Sequence, residues 1–360
     1  MRSPVGCGAH HDNRCCHRRG AEPLREPDRL RTPGHLARAF PSRRRTVGAM
    51  RLGVLDIGSN TVHLLVVDAV PDARPDPAAD EGSTVRLMRY LDDDGAITEE
   101  GVATLGAAVG KAVKAAGRFG VDEVVGIATS AIREAANGPE VLAHLSDLAG
   151  VELQVLSGRE EAELTFLAAR RWHGWAAGRL LLLDIGGGSL EIATGLDERP
   201  DYAVSVPLGA GRLTRQFLRS DPPTEHEVRE AKSYAKKVLA AVAKDLAKLP
   251  APDHVVATSK TFRSLARLAG QQVAVVGPEE RRRMRLADLA DWTPRLAKIP
   301  AEQRMELPGI TPERTYQIVG GAIVAQRAMK SLGIDELEIC PWALREGVIL
   351  RRLDQLAPTA

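Results

Sequence analysis

The sequence has 360 residues, 44% apolar and 27% charged, with a formal net charge of +2. That length and mix suit two ordinary globular domains, each able to bury its own core. No apolar run approaches the roughly 20 residues of a membrane helix, and no apolar stretch follows the basic start, which argues against both a membrane span and a secretory signal.

The charge is unevenly placed. Residues 1–49 hold eleven Arg and no Lys against four acids, a net +7, so the body from residue 50 carries 2 − 7 = −5. A mildly acidic body argues against a general nucleic-acid surface. Cys7, Cys15 and Cys16 lie in the leading segment and only Cys340 in the body. One Cys makes no internal disulfide, which fits a cytoplasmic protein. The cluster Cys7, His10, His11, Cys15, Cys16 and His17 matches no standard zinc-finger spacing. The Arg/Pro-rich segment lacks apolar periodicity and reads as a disordered extension. Met50 opens a clean strand and is the expected natural start.

Strands are predicted over 51–57 and 62–68, joined by the Gly- and Asn-containing turn of a hairpin. Residues 71–83 read as a loop and 84–90 as a third strand. Thr98 caps a long helix, with Glu99 and Glu100 in its positive first turn. A strand over 123–128, a helix over 138–149 and a strand over 151–156 follow, and Ser157 opens another helix. The pattern then restarts. A hairpin over 179–185 and 190–194 surrounds "GGGS", with a third strand near 202–206. Thr224 and Glu227 form a capping box for a helix to about 247. A strand is expected at 253–257, a polar helical stretch over 279–306, and a helix beginning at Thr311-Pro312 with Val319 and Ile323 on its apolar face. A strand at 335–339 and a helix from about 342 end the chain.

The two halves share one organisation, with "LGVLDIGSNTVHLLV" echoed by "LLLLDIGGGSLEIAT". This implies an α/β protein of two domains, residues 50–176 and 177–360, facing each other across a cleft, with the last helix placed to pack back on the first domain.

Candidate chemistry starts at the two turns. Each puts an Asp at a strand end, then small residues whose backbone N–H groups can converge on one anion. Ser59, Asn60 and Ser189 add side-chain donors, and Asp56 and Asp184 suit a hard cation beside phosphates. No Gly-Lys-Ser/Thr occurs and a strand follows each turn, so neither is a Walker A loop or a dinucleotide fingerprint. In "LSGREEAEL", Ser157 and Glu160 form a capping box. That leaves Glu161 either to orient or deprotonate a water or to join a solvated face. Arg133 either grips a phosphate by a bidentate fork or makes a surface salt bridge. Glu191 shares a metal with Asp184 or faces solvent. "ATSKTFRSLARL" offers Lys260 and a helix N-terminus to an anion. His63 and Trp172 read as core or interface residues.

These strings, together with "TSAIRE", "SGREEAELTFLA", "LGAGRLT" and "ALREGVI", resemble the exopolyphosphatase/guanosine pentaphosphatase (Ppx/GppA) family over about residues 50–355. The closest resemblance is to its short actinobacterial exopolyphosphatases. The resemblance implies the actin-like fold of the sugar kinase, Hsp70 and actin superfamily, ribonuclease H-like in each domain. It implies Glu161 as catalytic base and Arg133 as a phosphate-binding arginine. Asp184 and Glu191 fall at metal-binding positions. Asp56, Gly58, Ser59, Asn60 and Gly186, Gly187, Gly188, Ser189 form the phosphate loops, while Ser259 and Lys260 are phosphate-binding candidates on residue type alone. It implies Mg²⁺ or Mn²⁺, with K⁺ as activator, inorganic polyphosphate as substrate, guanosine penta- or tetraphosphate as a further ligand, and a homodimer. Two local departures stand out: Ala257-Thr258-Ser259-Lys260-Thr261 replaces the usual Gly-x-Ser-Gly-Thr, and Cys340-Pro341-Trp342 replaces Ser-Asp-Gly. Both reshape the pocket wall where relatives hold a nucleotide base. Longer members continue into helical domains, so a short chain is expected to favour short polyphosphate. The competing readings are a guanosine pentaphosphate phosphohydrolase, an ATP-dependent kinase lacking a visible acceptor insert, and a non-catalytic polyphosphate-binding protein.

Overall fold

Two hairpins of the same kind seed two six-stranded sheets in the computed structural model, which describes residues 50–70, 74–271 and 283–356 and the backbone of 37–39. The other residues of the leading segment, with their Cys and His cluster, lie outside the described residues, as do 272–282.

The first sheet grows from the hairpin β2 (Met50–Ile57) and β3 (Thr61–Ala69). Strand β4 (Pro77–Thr84) adds antiparallel to β3, and β5 (Glu123–Ala128) adds parallel to β2. The outer edge of β5 carries β6 (Leu153–Val155), parallel, and β1 (Ala37–Ala39), antiparallel. The second sheet repeats this plan. Hairpin β7 (Leu180–Ile185) and β8 (Leu190–Gly195) takes β9 (Tyr202–Val206) on one side and β10 (His254–Thr258) on the other. Beyond β10 comes β12 (Glu336–Ile339), parallel, and then β11 (Arg283–Arg285), antiparallel. The order β4-β3-β2-β5-β6 thus reappears as β9-β8-β7-β10-β12.

Long helices cover the sheets. Helix α1 (Glu99–Phe119) starts where Thr98 accepts from Gly101 N at 3.3 Å and stops at left-handed Gly120. Such a cap contributes about 1 kcal/mol. The short α2 (Ser130–Arg133) follows β5, and α3 (Gly138–Ala149) packs with α1. Helix α4 (Gly158–His173) carries the expected Ser157/Glu160 capping box. It lies against β8 and β9, its Phe166 and Ala169 meeting Leu182 and Ala193. Helices α5 (Ala210–Phe217), α6 (Glu225–Leu246), α7 (Ser259–Leu268), α8 (Leu286–Leu296), α9 (Ala301–Arg304) and α10 (Ile318–Leu332) clothe the second sheet. The last helix, α11 (Leu344–Leu356), returns to the first sheet, where Val348 and Ile349 pack on Leu52, Val54 and Ile127. It crosses α4 so closely that a Cβ on Gly347 would lie 2.0 Å from the Leu164 carbonyl oxygen.

Three sequence expectations need correction. The third strand is Pro77–Thr84, not 84–90. As an edge strand it alternates exposed and half-buried residues, so it carries no apolar run to announce it. Residues 85–91 instead turn inward through Arg86, at φ 56°, into a 3₁₀ turn that buries Leu87. Within 279–306, Arg283–Arg285 is a strand whose only buried side chain is Met284. Finally, the helix expected from Thr311 begins at Ile318. Residues 311–317 form turns, held by Arg304 Nη1 on the Thr315 carbonyl at 2.9 Å and Arg86 Nη2 on the Pro312 carbonyl at 2.7 Å.

Candidate active site

The turns Gly58–Asn60 and Gly186–Ser189 face each other. A Cβ on Gly187 would sit 2.1 Å from Ser59 Oγ, and one on Gly188 2.4 Å from Ser130 Oγ, so only glycine lets the turns come this close. The carbonyls of each turn are already used. Those of Gly186, Gly187 and Gly188 accept from Ala210, Arg212 and Gly209 N at 3.0, 2.9 and 3.2 Å. Those of Ser59 and Asn60 accept from Leu87 and Val85 N at 2.8 and 2.9 Å. Because a trans peptide points its N–H opposite to its C=O, the amides of Asn60, Thr61, Gly187, Gly188 and Ser189 turn away from these supports. Paired arrays of this kind make an anion-binding nest.

Between the turns lies a cavity of about 160 Å³. Four carboxylates reach it: Asp56 and Asp184 from equivalent strand ends, Glu191 from β8 and Glu161 from the first turn of α4. In both hairpins the Asp has a fixed cross-strand partner, His63 opposite Asp56 and Glu191 opposite Asp184. Asp184 accepts from Thr258 Oγ1, and Glu191 from Ser205 Oγ at 2.8 Å. Burial raises all four carboxyls above their ordinary range. For Glu161 it does so to about 7, against a hydrogen bond from Arg133, with Asp56 and Asp184 adding to the rise.

Cations line the same cavity. Lys260 and Arg263 come from α7, Arg314 from the turns before α10, and Arg345 from α11. Burial lowers Arg314 to about 10, helped by Arg263. Lys260 and Arg263 are lowered too, first by burial and then by Arg345. Arg345 Nη1 meets His63 Nδ1, and Lys260 Nζ lies 3.3 Å from His63 Nε2. The backbone of Ser259, at the head of α7, sits at φ 79°, a strained value for a residue with a side chain and one that clusters at functional sites.

Most residues picked from the sequence meet here: Asp56, Gly58, Ser59, Asn60, Glu161, Asp184, Gly186, Gly187, Ser189, Glu191, Ser259 and Lys260 all line the cavity. Gly188 does not line it but packs against Ser130, which does. Arg133 stands behind Glu161, its Nη1 donating to Glu161 Oε1 and to the Leu156 carbonyl. Sequence reasoning missed His63, Arg263, Arg314 and Arg345. His63 had a signal, because the echo of "DIGSNTVH" with "DIGGGSLE" aligns it with Glu191. Trp172 lies away from the cavity, edge-on to Trp342 at 5.4 Å. Among the described residues no helix is long and apolar enough to cross a membrane.

Residues 66–356 match the Ppx/GppA phosphatase family. Exopolyphosphatase 1 of Mycobacterium leprae is 48% identical over 308 residues, covering 86% of this chain and 91% of that protein. The crystal structure of an exopolyphosphatase from Cytophaga hutchinsonii superposes with a TM-score of 0.76 at 26% identity, over 85% of this chain and 98% of that one. The Aquifex aeolicus Ppx/GppA family member superposes with a TM-score of 0.70 at 25% identity, over 87% and 100% of the two chains. With its repeated sheets and facing turns in the actin-like arrangement, the chain belongs to the Ppx/GppA phosphatase family.

Proposed function

We propose that the protein is an exopolyphosphatase, hydrolysing the terminal phosphoanhydride bond of inorganic polyphosphate. The observation that carries this reading is the cavity between the two turns, where the carboxyls of Glu161, Asp56, Asp184 and Glu191 meet Lys260, Arg263, Arg314 and Arg345; burial also raises Glu161 to about 7. A general base works best when its pKa lies near the working pH. Glu161 takes a proton from a water. The water oxygen bonds to the terminal phosphorus in line with the departing bridge oxygen. The P–O–P bond breaks, and the shortened chain leaves as an anion against Lys260, Arg263 and Arg314. Both turns hold the terminal phosphate by their backbone amides and by Ser59 and Ser189. Catalysis of this kind is mostly positioning and charge neutralisation.

The carboxylates suit a divalent cation. Asp56 Oδ1 is buried with no hydrogen-bond partner among the described residues, and hard oxygen ligands from Asp184 and Glu191 stand close by. No three His, Cys, Asp or Glu side chains among the described residues form a ready-made cage, so Mg²⁺ or Mn²⁺ would complete its shell with water and substrate oxygens. When bound, the cation neutralises charge on the phosphate oxygens.

Purified full-length protein with Mg²⁺ and K⁺ should release orthophosphate from polyphosphate faster than from guanosine pentaphosphate or ATP. Release from none of them would end the hydrolase reading, and preferential release from guanosine pentaphosphate would redirect it to the alarmone.

Arg133 has a second expected role, in tuning the base. It lowers the pKa of Glu161, and the base must be ionised to act. Arg133→Gln should therefore move the acid limb of kcat/KM to higher pH, costing more activity at pH 7 than at pH 9. A uniform loss at every pH would assign Arg133 to phosphate binding alone.

A further inference from the structure

The turn that holds the catalytic cavity has a second face. Ser59, Asn60 and Gly187 also line a separate pocket of about 270 Å³, walled by Arg86, Arg89, Arg215 and Gln317. Three side-chain donors there have no hydrogen-bond partner among the described residues: Asn60 Nδ2, Arg86 Nε and Gln317 Nε2. Asn60 and Gln317 are only 8% and 5% exposed. Buried donors without partners are rare in folded proteins, and three in one pocket are not explained by the local fold. Their neighbours fix them. The Asn60 carbonyl accepts from Val85 and Arg86 N at 2.9 and 3.1 Å. Arg86 Nη2 is held by the Pro312 carbonyl at 2.7 Å. The Arg89 guanidinium lies 4.4 Å from the centre of the Tyr316 ring, and Arg215 is anchored on the Leu91 and Asp92 carbonyls at 3.2 and 3.1 Å. Three arginines face one carboxylate, Glu313. Donors without acceptors, in a cationic wall, call for an oxyanion.

We infer that this pocket is a second phosphate site, in which Asn60, Arg86 and Gln317 bind one phosphate group next to the catalytic cavity. Its binding chemistry follows from the donors, while the identity of its occupant rests on the hydrolytic reading. The pocket shares Ser59, Asn60 and Gly187 with the catalytic cavity, so orthophosphate, the product, is its expected first occupant. A phosphate group of a separate polyphosphorylated ligand would use the same contacts.

Isothermal titration separates these sources without any turnover. Orthophosphate is titrated into the full chain, and tripolyphosphate into the full chain carrying Glu161→Gln. Each titration is repeated with Gln317→Glu, which turns the donor into a like-charged acceptor, and with Gln317→Met, which keeps the volume and removes the donor. Two orthophosphate sites in the parent, one of them weakened at least tenfold in both variants, are the expected result. A second site for tripolyphosphate alone, lost in the same variants, keeps the pocket and assigns it to a separate ligand. A single site for both anions, or a second site indifferent to Gln317, would overturn the inference. Failure of hydrolysis alone would leave the binding result standing.

Discussion

Glu161→Gln is expected to lower kcat by about 10²–10⁴-fold, the usual worth of a general base, with KM little changed. The amide oxygen of Gln still accepts from Arg133, so the α4 N-terminus and the cavity wall keep their shape and only proton transfer is lost. The same change has a thermodynamic signature. An exposed Glu ionises near 4.5, whereas burial in the fold holds Glu161 to about 7. The folded state therefore binds more protons than the unfolded chain between those values, and stability falls as pH rises through that window. The cost of ionisation is absent below about pH 4.5 and complete above about pH 7. Removing the charge should thus stabilise the metal-free protein at pH 8 by on the order of a few kcal/mol, seen as a higher Tm, and stabilise it much less at pH 5. Equal thermal shifts at both pH values would show that Glu161 is not held protonated by its surroundings. Full activity in the variant would remove it from the chemistry.

What the sequence made legible is the part written locally. Asp56 and Asp184 announced themselves because the same string, strand–Asp–Ile–Gly–small residues–strand, occurs twice, and the two copies occupy equivalent corners of equivalent sheets. Glu161 was only half legible: Ser157 and Glu160 consume each other in the capping box, which left the next carboxylate free for a water or for a solvated face, and the family resemblance alone pointed to the base. Strand β4 was not legible, since an exposed edge strand has no apolar face to bury. The cations divide in the same way. Lys260 was reached from sequence because it sits at the strand-to-helix turn that opens α7, whereas Arg263, one turn further along that helix, was passed over. Arg314 could not be read, because it projects from turns taken for a helix. Arg345 arrives at His63 from 282 residues away, a contact that only the return of α11 to the first sheet creates.

Arg314→Met is expected to weaken polyphosphate binding by about 10–100-fold, the worth of one or two charge-assisted hydrogen bonds to a phosphate. Met retains most of the apolar stem, so the loss reports charge rather than packing. Arg314 sits in a crowd: its buried guanidinium is lowered to about 10 with help from Arg263, and Lys260 is lowered first by burial and then by Arg345, Arg314 and Arg263. Like charges held together without an anion work against the fold. The ligand-free variant should therefore melt no lower than the parent, and its stabilisation by added polyphosphate should shrink. Binding should also become less sensitive to salt, because one fewer phosphate is neutralised by the protein. Measured on the Glu161→Gln background, where nothing turns over, unchanged affinity and unchanged salt sensitivity would mean that the chain runs elsewhere. A lower melting temperature without ligand would mean that Arg314 braces the turns before α10, through its 3.3 Å contact with Thr261 Oγ1. The expected combination, weaker binding in a protein at least as stable, is what separates a cation kept for its substrate from one kept for the fold.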